Sequence, residues 1–293
     1  MRTESVIMIA RHARTRPDMR RDYRRRPATS TLGNSPLLNS SRTCVMPDLS
    51  TAQWCWAAVA AAGIGFSKSG FAGIGLFHIV IFAWLFGPRV STGILLPLLI
   101  VGDVAAVAAF RRHARWDYVW RILPPAIVGV VGGWLLMGRM TDAQLKPTLG
   151  VIVLGLALLQ LGRMYRPNLF ADVPHARWFA VTLGLVAGFT TMLANGAGPI
   201  VALYLLAVSL PKYEFVGTSA WFFLIINVLK VPFSTSLGLI HPDTLAINAL
   251  LAPAVVLGLL LGRRLVHHVP QKLFDSLLLI FAAVAALRML GAF

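Results

Sequence analysis

Two short segments of this sequence place hydroxyl, amide and ammonium groups between glycines, a combination that can bind a small anion. Lys68 is the only charged residue in either segment. A helix that begins just after Gly70 or Gly196 would also point unpaired backbone amides, and the positive end of its dipole, at the same place. The predicted substrate-binding residues are Ser67, Lys68, Ser69, Gly70, Gly73, Gly75, Thr190, Thr191, Asn195, Gly196 and Gly198.

The two segments are copies of one pattern, because residues 65–75 recur 123 positions later as residues 188–198. Both copies read Gly-Phe and then Gly-x-Gly without a gap, and Pro88 aligns with Pro211. Each copy interrupts an apolar stretch near the start of one half of the chain. Inside a bilayer, an interrupted helix leaves backbone groups that need partners, so such breaks persist mainly where they line a cavity. The duplication therefore predicts a transporter.

The composition places the chain in a membrane. Hydrophobic residues make up 57% of the 293 residues, charged residues make up 13%, and the mean hydropathy is +0.72. A soluble domain of this size could not bury so much apolar surface. Cys44 and Cys55 are too few for a disulfide framework or a metal site, so we expect no metal and no other cofactor.

Residues 1–45 hold ten arginines and three acidic residues, and so contribute +7 of the formal net charge of +16. We expect this basic extension to be disordered and to lie upstream of a natural start at Met46. A cytoplasmic arm on anionic lipid and a targeting sequence are the alternatives. The remaining 17 basic and 8 acidic residues are ordinary for a membrane protein, so the sequence predicts no nucleic-acid partner.

Each half of the chain contains five apolar segments that we predict to be helices. The first repeat occupies residues 46–162, a cytoplasmic linker residues 163–177, and the second repeat residues 178–293. The opening pair of each half is shorter than the roughly 20 residues that cross a bilayer, so its members are either short tilted spans or re-entrant half-helices. Glycines at spacings that let helices approach closely are Gly129, Gly132, Gly133, Gly138, Gly258 and Gly262.

The distribution of Lys and Arg between the loops predicts the orientation of the helices. If each half crosses the bilayer an odd number of times, one set of loops holds most of the basic residues, whereas an even count divides them almost equally. The odd count makes the halves inverted repeats, with the basic loops inside. The predicted fold is an all-α, polytopic transmembrane helix bundle of two inverted repeats in the cell inner membrane, each opening with a glycine-broken pair of short helices.

The paired openings, together with residues 88–93 (Pro-Arg-Val-Ser-Thr-Gly) and 211–219 (Pro-Lys-Tyr-Glu-Phe-Val-Gly-Thr-Ser), resemble the TauE/SafE family of sulfite exporters, or TSUP permeases. The resemblance spans residues 52–290. It implies movement of sulfur-containing anions, such as sulfite, sulfonates or sulfoacetate, across the inner membrane. Such a group presents three oxygens that the amides and hydroxyls of the two segments can bind.

Polar residues inside the third segment of each half are candidates for ion coupling. Asp103 lies near the middle of its apolar run, where a bare carboxylate is costly. Its repeat equivalent, allowing a one-residue drift, is Asn227, and Lys230 lies one helical turn further along the same face. We predict that these three residues couple transport to protons, with a structural polar tie between helices as the alternative. For Lys68 the alternative is a side chain that extends to the membrane interface, and His78 is interpreted as a hydrogen-bonded packing residue.

The sequence favours a secondary transporter, not an enzyme, that moves a small anion by alternating access. It has no Walker A sequence, so coupling to a proton or to the membrane potential is expected. A membrane-embedded enzyme acting on lipid head groups would need clustered acidic and histidine residues, and a channel or an assembly subunit is a further alternative. The expected partners are the anionic solute and the lipid bilayer, with homo-oligomerisation left open.

Overall fold

The computed structural model describes residues 49–69, 74–166, 177–265 and 271–292. Within these residues the chain is helical and forms no strand, which confirms the all-α prediction. The helices are α1 (Thr51–Ser67), α2 (Gly75–Phe86), α3 (Pro88–Phe110), α4 (Trp116–Arg139), α5 (Asp142–Tyr165), α6 (Arg177–Ala194), α7 (Gly198–Ala207), α8 (Lys212–Ser236), α9 (Pro242–Leu265) and α10 (Gln271–Met289). The basic extension, most of the linker, and Gly70 and Gly73 lie outside the described residues.

Six of the described helices are long and apolar enough to cross a membrane, which confirms a multi-pass protein. They correspond to α3, α4, α5, α6, α8 and α9. In contrast, α2 and α7 contain 12 and 10 residues. At about 1.5 Å per residue both are much shorter than a hydrocarbon core of roughly 30 Å. For the second member of each opening pair, this length favours a half-helix over a span.

Local sequence signals explain where several helices begin. Ser50 caps α1 by accepting from the Gln53 backbone N–H, and the Gln53 side-chain oxygen accepts from the Ser50 backbone N–H, so the two residues form a capping box. Thr141 caps α5 in the same way. Gly87 has a positive φ of 80°, a conformation that favours glycine, and it separates α2 from the proline at the start of α3. The short second helix of the first half is therefore followed directly by a long one.

Helices from the two halves pack against each other. α1 packs on α9, and α6, its counterpart in the second half, packs on α4. α3 lies against α8, and α5 lies against α10. The contact of α1 with α9 thus corresponds to that of α6 with α4, and the other two contacts each join equivalent helices of the two halves. This pattern is expected for a duplicated fold. The opposite orientation of the halves stays a prediction.

Glycines allow the backbones of α1 and α9, and likewise those of α6 and α4, to approach closely. A Cβ atom added to Gly188 would overlap a backbone carbonyl oxygen of α4, and one added to Gly129 would overlap a carbonyl oxygen of α6. Gly65 and Gly258 bring α1 and α9 together in the same way. Any larger side chain would force these helices apart, because the Cβ atom would occupy the place of a backbone atom of the facing helix. The interpretation of Gly129 and Gly258 as close-approach residues is confirmed.

Candidate functional site

Both glycine-rich segments interrupt helices, as the repeat predicts. In the first break α1 ends at Ser67 and α2 begins at Gly75, later than the expected start after Gly70. In the second break α6 ends at Ala194 and α7 begins at Gly198. Between them Asn195 adopts a left-handed conformation with φ of 54°, which asparagine tolerates better than most residues. In the described part of the chain, neither α2 nor α7 has a side-chain cap on its first amides.

One cavity lies between the two breaks and is bounded by α3 and α8. The predicted site residues in its wall are Ser67, Lys68, Gly75, Thr191, Asn195, Gly196, Gly198 and Asn227. Its remaining wall is mostly apolar and includes Leu99, Ala106, Val201, Ala202, Phe215, Val216 and Phe223. A mainly apolar hollow with a few convergent polar groups is the usual form of a small-molecule site. The structure therefore brings the two distant segments together at one place.

Lys68 provides the positive charge of the cavity and is held by a carboxylate. Its Nζ lies 2.6 Å from an oxygen of Asp103, whose side chain is 0% exposed, whereas the Lys68 side chain is 13% exposed. The ammonium group also lies 4.4 Å from the centre of the Phe223 ring, a cation–π contact. Lys68 thus lines the interior cavity, in place of the alternative in which it extends to a membrane interface.

The predicted coupling residues continue the same network. The Asn227 amide nitrogen donates to the second Asp103 oxygen at 2.7 Å. Lys230 Nζ donates to Asn227 Oδ1 at 3.3 Å, which confirms that the two side chains share a helix face. It also donates to Asn195 Oδ1 at 2.6 Å and to Thr191 Oγ1 at 3.1 Å. A continuous chain of polar contacts therefore joins the first break to the second through α3 and α8.

The network holds more basic than acidic groups. Among the described residues it contains the side-chain amines of Lys68 and Lys230 but the carboxyl group of Asp103 alone. Lys230 is 1% exposed and is surrounded by neutral oxygen acceptors. When both amines are protonated, one positive charge is left without an opposite partner in a buried place, which is costly, and an anion in the cavity would compensate it.

Three predicted hydroxyl ligands donate to their own helices. Ser67 Oγ donates to Ile64 O at 2.7 Å, and Ser69 Oγ donates to Phe66 O at 2.7 Å. Thr190 Oγ1 bonds in the same manner to α6 carbonyls. A hydroxyl has a single proton, so in this arrangement these groups offer lone pairs and not a donor to the cavity. Ser69 and Thr190 also lie outside the cavity wall.

The structure contradicts one part of the interpretation of His78, its hydrogen bond. Its side chain is buried, but neither ring nitrogen has a hydrogen-bond partner among the described residues. The ring lines the cavity from the first turn of α2. Its position three residues after Gly75 was the available signal, since the start of that helix faces the break.

Comparison with protein families gives a match over nearly the whole described bundle. The family model described as Sulfite exporter TauE/SafE matches residues 57–289. Comparison with curated proteins and with solved structures found no match. Both helix breaks, the cavity and the network from Lys68 to Asn195 lie within the matched residues.

Proposed function

This chain belongs to the sulfite exporter TauE/SafE family of membrane transporters, and from that premise we propose that it moves a small sulfur-containing oxyanion or organosulfonate by alternating access. One observation carries the proposal: the two helix breaks share a cavity in which Lys68 is paired with a single, fully buried carboxylate. An anion that enters this cavity meets an ammonium group whose remaining N–H donors are available, because Asp103 occupies only part of its hydrogen-bonding capacity. We propose the inner membrane as its location.

Binding would use donors from both halves. Lys68 contributes charge-assisted hydrogen bonds, which are the stronger kind. The Thr191 hydroxyl accepts its bond from Lys230, so its own proton is available to an oxygen of the anion. The starts of α2 and α7 add the positive ends of their dipoles, since Gly75 and Gly198 both lie in the wall. A sulfite or sulfonate group has enough oxygens to accept from these groups together.

Alternating access would require the contacts that join the halves to change. Asp103 on α3 accepts from Asn227 on α8, and Asn195 in the second break donates to the Thr92 carbonyl oxygen on α3 at 3.1 Å. Both bonds cross between the halves close to the cavity. Movement of one half against the other would break these two hydrogen bonds or exchange their partners. An anion that replaces Asp103 as the partner of Lys68 would change the relative stability of the two arrangements.

Asp103 is the candidate coupling residue of this mechanism. It is the acidic member of the network, and it faces Lys68 from α1 and Asn227 from α8. Protonation of Asp103 would release Lys68 to the anion, and loss of the proton would restore the ion pair. Asp103→Asn should then retain exchange of anions across the membrane but lose acceleration by an imposed proton gradient.

Uptake into proteoliposomes tests the proposed function. We expect saturable, counterflow-competent uptake of at least one anion from a panel of sulfite, thiosulfate, sulfoacetate and taurine. Lys68→Ala should reduce that uptake more than tenfold, since it removes a hydrogen-bonded counter-charge. Lys146→Ala is the matched control, because Lys146 is exposed at the start of α5. Flux that does not saturate and shows no counterflow would indicate a channel, and equal uptake by the two lysine variants would remove Lys68 from the site.

A further inference from the structure

The first turn of α2 carries a buried imidazole that the network does not use. His78 is 2% exposed, and neither Nδ1 nor Nε2 has a hydrogen-bond partner among the described residues. Leaving a buried polar group unsatisfied is costly, and each such group in a folded protein requires an explanation. The ring lies in the cavity wall with Lys68, so the molecule that enters this cavity can supply the missing partner.

The repeat-equivalent position of His78 in the second half holds an apolar side chain. The residue at the same distance into the second half-helix is Val201, which is buried and also lines the cavity. Gly75 and Gly198 begin these two helices, and both positions follow their glycine by three residues. An apolar side chain therefore suffices at the equivalent place, while the first half presents a ring with polar atoms.

The neighbouring charges decide what kind of ligand the ring would contact. The cation in the same wall is Lys68, while both oxygens of Asp103 are already held, one by Lys68 and the other by Asn227. A cationic ligand is disfavoured next to an ammonium group. An imidazole N–H beside that ammonium suits an acceptor atom of negative charge.

We propose that His78 is a further substrate-binding residue that determines specificity, because its ring N–H donates to an oxygen of the bound anion. A donor with a fixed direction favours an oxyanion over a spherical anion of the same charge. A hydrogen bond to an oxyanion is strongest when the N–H points at an oxygen lone pair, whereas the interaction with a halide depends little on direction. This inference rests on the proposed transport function. It adds a donor from α2 to those of Lys68 and Thr191, so the oxyanion lies nearer to the first break.

Two variants of His78 test the assignment in proteoliposome counterflow, with sulfite and methanesulfonate as oxyanion probes and bromide as the spherical probe. His78→Val, which copies the second half, should raise the KM for the transported oxyanion about tenfold or more, the factor expected for one hydrogen bond to a charged group. Inhibition by bromide should stay at the level of the parent. His78→Asn retains a donor and should recover part of the lost affinity. His241→Val, at an exposed position before α9, is the control and should match the parent.

The stability of the unliganded protein separates a binding role from a structural one. His78→Val removes polar atoms that have no partner, so the thermal midpoint of the substrate-free protein should be unchanged or higher. A lower midpoint together with an unchanged KM would overturn the proposal and assign the ring to packing. Equal weakening of oxyanion and bromide binding, or no advantage of His78→Asn over His78→Val, would also overturn it. If the parent exchanges none of the oxyanions, the transport proposal fails first, whereas normal His78→Val kinetics beside a defective Lys68→Ala refute only the role of His78.

Discussion

Replacing Lys68 by alanine should cost this protein stability as well as transport, because the substitution strips a buried carboxylate of its cation. The Asp103 side chain is 0% exposed, and its remaining partner would be the amide nitrogen of Asn227 at 2.7 Å. Breaking a buried ion pair by removal of one partner costs about 3–5 kcal/mol, mainly because the other charge stays buried without compensation. We therefore expect Lys68→Ala to lose a free energy of unfolding in that range.

Asp103→Asn should lower the free energy of unfolding by less than Lys68→Ala does, because the two side chains differ in exposure. Lys68 is 13% exposed and lines the cavity, so in Asp103→Asn its ammonium group can be hydrated from the cavity. Asparagine also keeps an acceptor for the Asn227 amide. The double variant Lys68→Ala/Asp103→Asn buries no uncompensated carboxylate, and it should regain most of the stability lost in Lys68→Ala. It should not regain transport, since the substrate counter-charge is still missing.

Thermal unfolding in detergent, followed by tryptophan fluorescence, measures this double-mutant cycle, and proteoliposome uptake measures transport in the same four proteins. A coupling free energy of about 2 kcal/mol or more between the two sites would support the ion pair as a buried, energetically coupled unit. Additive effects of the two substitutions would refute that reasoning, because independent sites do not share an uncompensated charge. Recovery of uptake in the double variant would refute the assignment of Lys68 as a substrate ligand.

Three further outcomes can be measured with the same assays. Gly188→Ala should destabilise the protein by about 1–3 kcal/mol or more, since its Cβ would overlap a carbonyl oxygen of α4, whereas Gly155→Ala has open space and should be neutral or stabilising by thermal unfolding. Lys230→Met should weaken anion affinity about tenfold or more, measured as KM, because it removes a basic group that, when protonated, attracts an anion in the cavity. Asp142→Asn should lower the free energy of unfolding by less than about 1 kcal/mol, because the ion pair of Asp142 with Arg89 is exposed.

The helix breaks were accessible to sequence reasoning because they depend on local chemistry. Glycines that recur 123 positions apart interrupt apolar runs in any environment where the rest must be helical, so both breaks could be placed before any contact was known. The sequence predicts that α2 begins just after Gly70, which is earlier than its start at Gly75, because any of several glycines could end the break. Which of these glycines begins the helix depends on packing that the pattern does not encode.

The network could be predicted only in parts. Lys230 and Asn227 are one turn apart on a single helix, so helical spacing sufficed to pair them. Lys68 and Asp103 lie on different helices, and their 2.6 Å contact depends on how α1 approaches α3. For that reason sequence reasoning assigned Lys68 to substrate binding and Asp103 to coupling, whereas the structure joins the two groups. For His78 the sequence predicts a hydrogen bond that the described residues do not supply, because helical spacing does not show that the ring lies beside a cavity.

The duplicated scaffold carries an unequal set of side chains, and this inequality indicates where the proposed anion would bind. Lys68 occupies the place that Thr191 takes in the second half, and His78 occupies the place of Val201. The matching helix crossings hold the two breaks against one cavity, so the scaffold alone would offer an anion two similar half-sites.

Only the first half adds an ammonium and an imidazole to its helix end. The positive charge of the second half, on Lys230, is instead tied to amide and hydroxyl oxygens behind the wall. We therefore expect the anion to bind off the centre of the cavity, on the side of α1 and α2, with Thr191 contacting it from the opposite wall of the cavity. Exchanging the two positions in Lys68→Thr/Thr191→Lys would move the counter-charge to the second break beside Lys230. If uptake by that variant equalled that of the parent, the location of the charge would not matter and this argument would fail.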